Sequence, residues 1–160
     1  MVSAREIRLA VPRDAAAIAD MSRDYVEQGL GWSWTPARVV ASIVDDATNV
    51  AVLDLARGLA GFAIMQYGDR SAHLALLAVH PAQRRRGLGT RLLQWLEKSA
   101  DTAGIELIRL EARADNPGAI AFYRQHGYVP NGRLINYYRG TLDAVRLEKT
   151  LRTPMRIDGP

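Results

Sequence analysis

The stretch VHPAQRRRGLGT, from Val79 to Thr90, joins the end of a predicted strand to the start of an apolar-periodic helix. Gly87 and Gly89 have no Cβ atom, so the backbone can turn sharply there and bring its N–H groups close to a ligand. Amides of a first helical turn lack intrahelical acceptors and lie at the positive end of the helix dipole. The stretch therefore predicts a pyrophosphate site, although two glycines alone are equally compatible with a tight connection carrying solvated arginines.

A second segment, ADNPGAIAFYRQHGY from Ala114 to Tyr128, gives the loop a specific interpretation. The loop matches neither GxxxxGKS/T nor GxGxxG, and its own pattern is Arg84-x-x-Gly87-x-Gly89. In this order, the loop and the second segment resemble the acetyl-CoA-binding core of the GNAT superfamily of N-acetyltransferases. The resemblance covers about half of the chain and is strongest to the bacterial ribosomal-protein-alanine N-acetyltransferases.

Length and composition are typical of a globular protein of modest size. The chain has 160 residues, of which 48% are hydrophobic and 24% charged. We expect a single domain over residues 1–151 and a frayed tail over 152–160. No apolar run approaches the ~18–20 residues of a membrane span, and the N-terminus has no signal-peptide pattern, so the expected location is the cytoplasm and no membrane partner is expected.

Charge and side-chain chemistry exclude several kinds of site. The chain has no cysteine, which excludes disulfides, thiolate metal sites and a cysteine nucleophile, and its three histidines are too scattered to predict a metal site. The net charge of +4 is modest, and much of the positive charge is concentrated in the loop at Arg84, Arg85, Arg86 and Arg91. This pattern favours a compact polyanion such as CoA over nucleic acid, which would require a longer basic face with exposed aromatic residues.

Hydrophobic periodicity and turn residues predict eleven elements in the order β-α-α-β-β-β-α-β-α-β-β. This order predicts an α+β fold, and the resemblance specifies a mixed, mostly antiparallel seven-stranded sheet flanked by about four helices. The predicted strands span about 5–11, 49–56, 59–67, 72–79, 105–112, 128–137 and 143–151, and the helices about 14–28, 36–46, 88–103 and 116–127.

The resemblance also implies which residues bind the donor. The pyrophosphate would accept hydrogen bonds from backbone amides of the loop, with added charge from its arginines, and the strand before the loop would pair with pantetheine as a further strand would. An asparagine opening the later helix would hold the donor arm, a role that can coexist with helix capping. The residues so implied are Leu77, Val79, Arg84, Arg85, Arg86, Gly87, Leu88, Gly89, Thr90 and Asn116.

Two residues are candidates for acid–base chemistry. By family likeness Tyr123 is the general acid that protonates the CoA thiolate, whereas its helical spacing also fits a core tyrosine. Many members of the family have a glutamate on the strand before the glycine loop, but here that strand reads HLALLAV and has no carboxylate. Glu111 on the next strand is the nearest replacement as base, directly or through water. A solvated or salt-bridged strand residue is the alternative.

The acceptor site is expected outside the donor core. Trp32 and Trp34 in GWSWT, with Tyr137 and Tyr138 in INYYRG, resemble elements of the ribosomal subfamily, and aromatic residues on such loops can frame a peptide end. Packing under the loops is the alternative for the two tryptophans. A chain-terminal amine has a reference pKa of ~8 against ~10.4 for lysine, so more of it is neutral near pH 7 and a weak base suffices.

The sequence thus predicts an acetyl-CoA-dependent N-acetyltransferase in which an amine attacks the thioester directly, with a protein or peptide α-amine as acceptor. A small-molecule amine is the alternative acceptor. A noncatalytic CoA-binding module is the alternative of a different class, and Tyr123 and Glu111 argue against it because a sensor needs neither. The oligomeric state stays open at this stage, a homodimer included.

Overall fold

The computed structural model describes residues 6–84 and 86–152. Arg85 and most of the predicted tail, residues 153–160, therefore lie outside the described residues. The strands are β1 Ile7–Leu9, β2 Thr48–Asp54, β3 Leu59–Tyr67, β4 Ser71–Val79, β5 Leu107–Arg113, β6 Val129–Tyr138 and β7 Leu142–Thr150. The α helices are α1 Ala15–Met21, α2 Pro36–Val44, α3 Leu88–Thr102 and α4 Pro117–Gln125.

The predicted fold class is confirmed, because all seven strands belong to one sheet and the described residues contain four α helices. The chain comprises two compact units. The first contains the described residues up to Tyr67 together with Leu74–Leu96, and the second contains Gly68–His73 and the described residues from Glu97 onward. The domain limits 1–151 and 152–160 stay a prediction.

The first unit is built on an antiparallel arrangement of its N-terminal strands. The strand order here is β1-β2-β3-β4, and the β2–β3 register runs from Thr48 opposite Gln66 to a shift at Leu53 and Asp54. Apolar side chains from α1 and α2 pack on the sheet around the fully buried Ile18, Val39 and Phe62. Helix α2 begins as its sequence predicts, because the Thr35 hydroxyl accepts a hydrogen bond from Arg38 N–H and Pro36 needs no hydrogen-bond acceptor.

The predicted helix over 14–28 is interrupted. Helix α1 ends at Met21, and a π-helical turn continues to Val26, closed by the N–H of Glu27 donating to the Ser22 carbonyl at 2.8 Å. The wider turn allows the Glu27 carboxylate to accept a hydrogen bond from the Ser22 hydroxyl at 3.0 Å. The π segment is only five residues long, too short to change the apolar spacing of the whole stretch, so the sequence pattern did not reveal it.

The second unit has the strand order β5-β7-β6, with both pairs antiparallel. Burial alternates along β5, so that Ile108, Leu110 and Ala112 face the core while Arg109 and Glu111 lie on the other, half-buried face. Arg146 of β7 is the register partner of Glu111. Glu111 and Arg146 therefore lie side by side on this half-buried face of the sheet.

None of the described helices combines the length and apolar character needed to cross a bilayer.

Candidate functional site

The glycine loop lies in the first unit. The β4 strand ends at Val79, and a tight 3-10 turn follows over Pro81–Gln83, with the Nδ1 atom of His80 accepting a hydrogen bond from Ala82 N–H at 3.1 Å. Gly87 then has a φ of 75°, in the left-handed region that favours glycine. The Gly87 carbonyl accepts the N–H of Arg91 at 3.0 Å, which begins α3.

The predicted loop residues differ in their exposure and in the groups that a ligand could contact. Arg84 and Arg86 are exposed, whereas Leu88 is buried and anchors the helix start in the core. Gly89 and Thr90 lie within the first turn of α3, the region of a helix where backbone amides are available to an anion. Arg85 lies outside the described residues.

On β4, burial alternates residue by residue, so that Leu77 and Val79 lie on its half-buried face while Leu76 and Ala78 are buried. In the second unit, Asn116 is the N-cap of α4, and its Oδ1 accepts the N–H of Ala119 at 3.1 Å. The capping interpretation of Asn116 is therefore confirmed, and its donor-binding role stays a prediction.

Tyr123 lies on α4 and is 8% exposed. Its ring makes edge-to-face contacts with Phe122 and Tyr128 at centroid distances of 5.2 and 5.7 Å. Burial, and then the nearby Tyr138 hydroxyl, raise the pKa of Tyr123 well above its ordinary value. Its phenol is therefore protonated at neutral pH, as a proton donor must be before it acts.

Glu111 is the centre of a polar cluster in the second unit. Its Oε2 atom is 2.5 Å from Nε2 of His73, and its other oxygen, Oε1, is 3.9 Å from Nε of Arg146. Burial by itself would raise the pKa of Glu111, but the His73 hydrogen bond and the charges of His73, Arg109 and Arg146 outweigh it and hold this pKa below its ordinary value. The carboxylate is thus ionised at neutral pH.

The two predicted acceptor-site tyrosines pack against each other on β6, with ring centroids 4.9 Å apart. Tyr137 is 47% exposed. Tyr138 is partly buried, and its hydroxyl donates to the backbone carbonyl of Glu111 at 3.3 Å. Burial, followed by the neighbouring Tyr137 and Glu111, raises the pKa of Tyr138. The structure therefore brings Glu111, His73, Tyr137 and Tyr138 into one cluster.

The two predicted acceptor-site tryptophans differ in environment. Trp34 is 7% exposed and belongs to the core of the first unit, with the Arg38 guanidinium 3.7 Å above its ring centroid. Trp32 is 38% exposed, and its indole N–H donates to the Ala19 carbonyl at 3.1 Å. The packing interpretation thus describes Trp34, whereas Trp32 keeps a surface that a ligand can contact.

Glu27 holds this tryptophan segment in place. It is 8% exposed and accepts hydrogen bonds from the backbone N–H and hydroxyl of Ser33 and from Trp34 N–H, at 2.8, 2.5 and 3.3 Å. Burial alone would raise the pKa of Glu27, but these bonds and that of Ser22 hold it below its ordinary value.

Sequence reasoning missed the roles of Glu27 and His73. Only one signal could have found His73: it occupies an alternate position of β4, as Leu77 and Val79 do, on a strand next in order to the one that carries Glu111. For metals, the described residues contain no group of three or more His, Cys, Asp or Glu side chains placed to bind an ion.

Comparison with known proteins places the chain in a family. A model of the acetyltransferase (GNAT) family matches residues 18–128, which span the glycine loop, Glu111 and Tyr123. The chain belongs to this family. The resemblance inferred from the loop and from the segment that contains Tyr123 is thereby confirmed.

Among characterised relatives, the [ribosomal protein bS18]-alanine N-acetyltransferase of Salmonella typhimurium is 40% identical over 90 residues, which are 54% of this chain and 61% of that protein. The chain spans about half to three-fifths of the length of the first curated relatives it matches. The crystal structure of the ribosomal-protein-S18-alanine N-acetyltransferase from Escherichia coli has a TM-score of 0.82 at 26% identity and covers 97% of this chain and 98% of that one.

The same fold occurs in an aminoglycoside 6'-N-acetyltransferase complexed with coenzyme A, with a TM-score of 0.77 at 21% identity over 94% of this chain and 99% of that one. This likeness shows the fold alone. Proteins with this fold are named for a protein acceptor in one case and for a small-molecule acceptor in another, so the fold does not determine the acceptor.

Proposed function

We propose that this protein is an acetyl-CoA-dependent N-acetyltransferase in which an amine attacks the thioester directly. The observation that carries the proposal is the left-handed turn at Gly87. It opens α3 after the short connection that follows β4, inside the segment that matches the family. A helix start exposed in this way is an anion site because its first amides and its dipole both favour negative charge.

The donor is acetyl-CoA, with its pyrophosphate on the backbone amides of the loop. Arg84 and Arg86 are exposed and can contribute charge to the phosphates. The half-buried face of β4 at Leu77 and Val79 suits the pantetheine arm, which would pair with backbone groups as a strand does. Asn116 contributes from the cap of α4.

The chemistry uses Tyr123 and Glu111. The amine nitrogen bonds to the thioester carbonyl carbon, the C–S bond breaks, and Tyr123 donates its proton to the departing sulfur. Burial raises the pKa of Tyr123, so its phenol keeps its proton until the thiolate departs. Glu111, which is ionised, acts as the base for the acceptor amine, directly or through water.

The acceptor is a protein or peptide α-amine. The names of the relatives support this choice, and so does the site chemistry, because a chain-terminal amine with a reference pKa of ~8 requires only a weak base. Tyr137, which is half exposed, and Tyr138 would contact the first peptide groups, while Trp32 offers an aromatic surface and Trp34 supports the segment from the core. A small-molecule amine is the second candidate, since the fold also occurs in an aminoglycoside enzyme.

A CoA-release assay tests the proposal. We expect release to require an added amine and kcat/KM to be higher for short peptides with free N-termini than for polyamines, amino acids and aminoglycosides. The same peptides with acetylated N-termini are the matched control and should give no release. A tenfold preference for a small amine would overturn the peptide acceptor alone, whereas tight CoA binding without release for any amine would establish a noncatalytic CoA-binding protein.

A further inference from the structure

The close contact between His73 and Glu111 assigns a role to a residue that neither the sequence pattern nor the proposed function uses. His73 comes from β4 and Glu111 from β5, and Nε2 of the ring is 2.5 Å from Oε2 of the carboxylate. The glutamate side chain is 9% exposed and the histidine side chain 28%. The carboxylate is thus the buried partner, and the imidazole is the partner that solvent and ligands can reach.

The hydrogen bond defines the tautomer of His73. An ionised carboxylate only accepts hydrogen bonds, so Nε2 carries a proton and donates it to Glu111. In a neutral imidazole the other nitrogen, Nδ1, then has the free lone pair. The arrangement is that of an imidazole oriented by a carboxylate, as in the catalytic triads of hydrolases, where the carboxylate stabilises the imidazolium and does not itself take the proton.

The charges around Glu111 weaken it as a proton acceptor. The pKa of Glu111 lies below that of an ordinary carboxyl group, which is ~4.3, because of His73, Arg109 and Arg146. A carboxylate stabilised in this way takes a proton from a terminal ammonium less readily than an ordinary carboxylate does. Nδ1 of His73, by contrast, can bond a proton without breaking the hydrogen bond from Nε2 to Glu111.

We propose that His73 takes up the proton of the acceptor ammonium on Nδ1, directly or through water, and that Glu111 orients the ring and is its counter-ion. This inference rests on the proposed function, and it replaces Glu111 by His73 as the group that receives the proton. In the balanced step, the nitrogen of the acceptor ammonium loses two protons. The first bonds to Nδ1 of His73 and then leaves to solvent, and the second leaves to solvent once the C–N bond has formed. Tyr123 gives its proton to the sulfur, and its phenolate regains a proton from solvent. The nitrogen electron pair forms the new C–N bond as the C–S bond breaks.

Other charged or titratable groups surround the carboxylate of this pair. Arg109 lies on the same strand as Glu111, Arg146 on β7 and Tyr137 on β6, and all three interact electrostatically with Glu111. The arginines keep the carboxylate ionised, which preserves it as a hydrogen-bond acceptor for the ring. They are therefore expected to strengthen the orienting role of Glu111 and to weaken it as a base.

Replacement of His73 separates basicity from packing. In H73Q the amide can still donate to Glu111 but cannot accept a proton, so we expect kcat for the preferred amine to fall by ~10²–10⁴-fold with little change in acetyl-CoA affinity. In H73A, added imidazole should restore turnover, and more basic substituted imidazoles should restore it further. H126Q is the matched control and should behave as wild type. An H73Q variant within twofold of wild-type kcat would overturn the proposal.

Histidine-selective NMR tests the pair independently of activity. The ring proton on Nε2 of His73 should resonate far downfield in the wild type and in Y123F, and this signal should be lost in E111Q. Its absence from the wild type would overturn the His73 assignment while CoA release still supported the enzyme. A wild type that shows the signal but releases no CoA with any amine would instead overturn the proposed function, and the proton transfer with it.

Discussion

At the scale of single residues, Tyr123 has two candidate roles, packing of its ring and proton donation by its hydroxyl. Its ring packs against Phe122 and Tyr128, and its hydroxyl has a raised pKa because of burial. We expect Y123F to keep these ring contacts and lose only the proton, so kcat should fall by ~10²–10⁴-fold while calorimetry shows nearly unchanged acetyl-CoA binding. Wild-type turnover of Y123F at every pH would make the side chain a packing residue.

A second buried tyrosine provides the control for Y123F. The Tyr128 hydroxyl donates to Oε2 of Glu97 at 3.1 Å, and Lys149 pairs with the same carboxylate atom at 2.9 Å. Y128F therefore removes a hydroxyl from the same unit without removing the proposed acid. It should lower the free energy of unfolding by about 1.5–3 kcal/mol, the usual contribution of a hydrogen bond to a charged group, and leave kcat close to wild type.

At the scale of elements, Gly61 of β3 lies very close to β4, the strand that precedes the glycine loop, and to α3, the helix that follows the loop. A Cβ atom added at Gly61 would lie 2.9 Å from the Ala78 carbonyl oxygen and 3.0 Å from Leu92 Cδ1, which are parts of β4 and α3. Backbone cannot yield as a flexible side chain does, so we expect G61A to destabilise the protein by about 1–3 kcal/mol. Urea denaturation with an unchanged slope measures this loss.

The matched variant is G118A in α4. There an added Cβ would meet only Asn116 Oδ1, at 3.6 Å, an ordinary contact. Alanine is up to about 1 kcal/mol more favourable than glycine in a helix, so G118A should be neutral or stabilising. If both variants lowered stability equally, the close approach at Gly61 would not be the cause.

At the scale of the whole molecule, buried carboxylates link stability to pH. Hydrogen bonds hold the pKa of Glu27 below its ordinary value despite burial, and the paired Arg8 does the same for Asp14. A carboxyl group with a lowered folded-state pKa contributes stability that is fully present above its unfolded pKa and is lost as pH falls through the folded value. We therefore expect the free energy of unfolding to decrease as the pH falls below about 4.5.

The variant E27Q tests this linkage. Its side chain cannot accept all the hydrogen bonds that Ser33 and Trp34 donate to the carboxylate, so its free energy of unfolding should be lower than that of the wild type by about 1–3 kcal/mol at neutral pH. When the pH is then lowered, the stability of E27Q should decrease less than that of the wild type. Thermal unfolding from pH 3 to 7 measures both effects. D46N, at an exposed position, is the control and should follow the wild-type curve; a parallel curve for E27Q would exclude Glu27 as a source of the pH dependence.

Features that depend on neighbouring residues were predictable from the sequence alone. The turn at Gly87 needs only a residue that tolerates positive φ, and the cap at Asn116 bonds to an amide three residues away. The alternation that leaves Leu77 and Val79 half buried is likewise a local period of two. The fold class followed from such patterns in series, because their order restricts the possible topologies.

Tertiary structure alone decided which polar residues meet. A strand period predicts that Glu111 leaves the core face, but not that the residue opposite it is His73, 38 positions earlier in the chain. The sequence likewise showed two tryptophans in one segment, whereas the fold buried Trp34, left Trp32 at the surface and tied the segment to Glu27. The physical reason is that a side chain's pKa and tautomer depend on charges, hydrogen bonds and burial supplied by distant parts of the chain, which a local pattern does not encode.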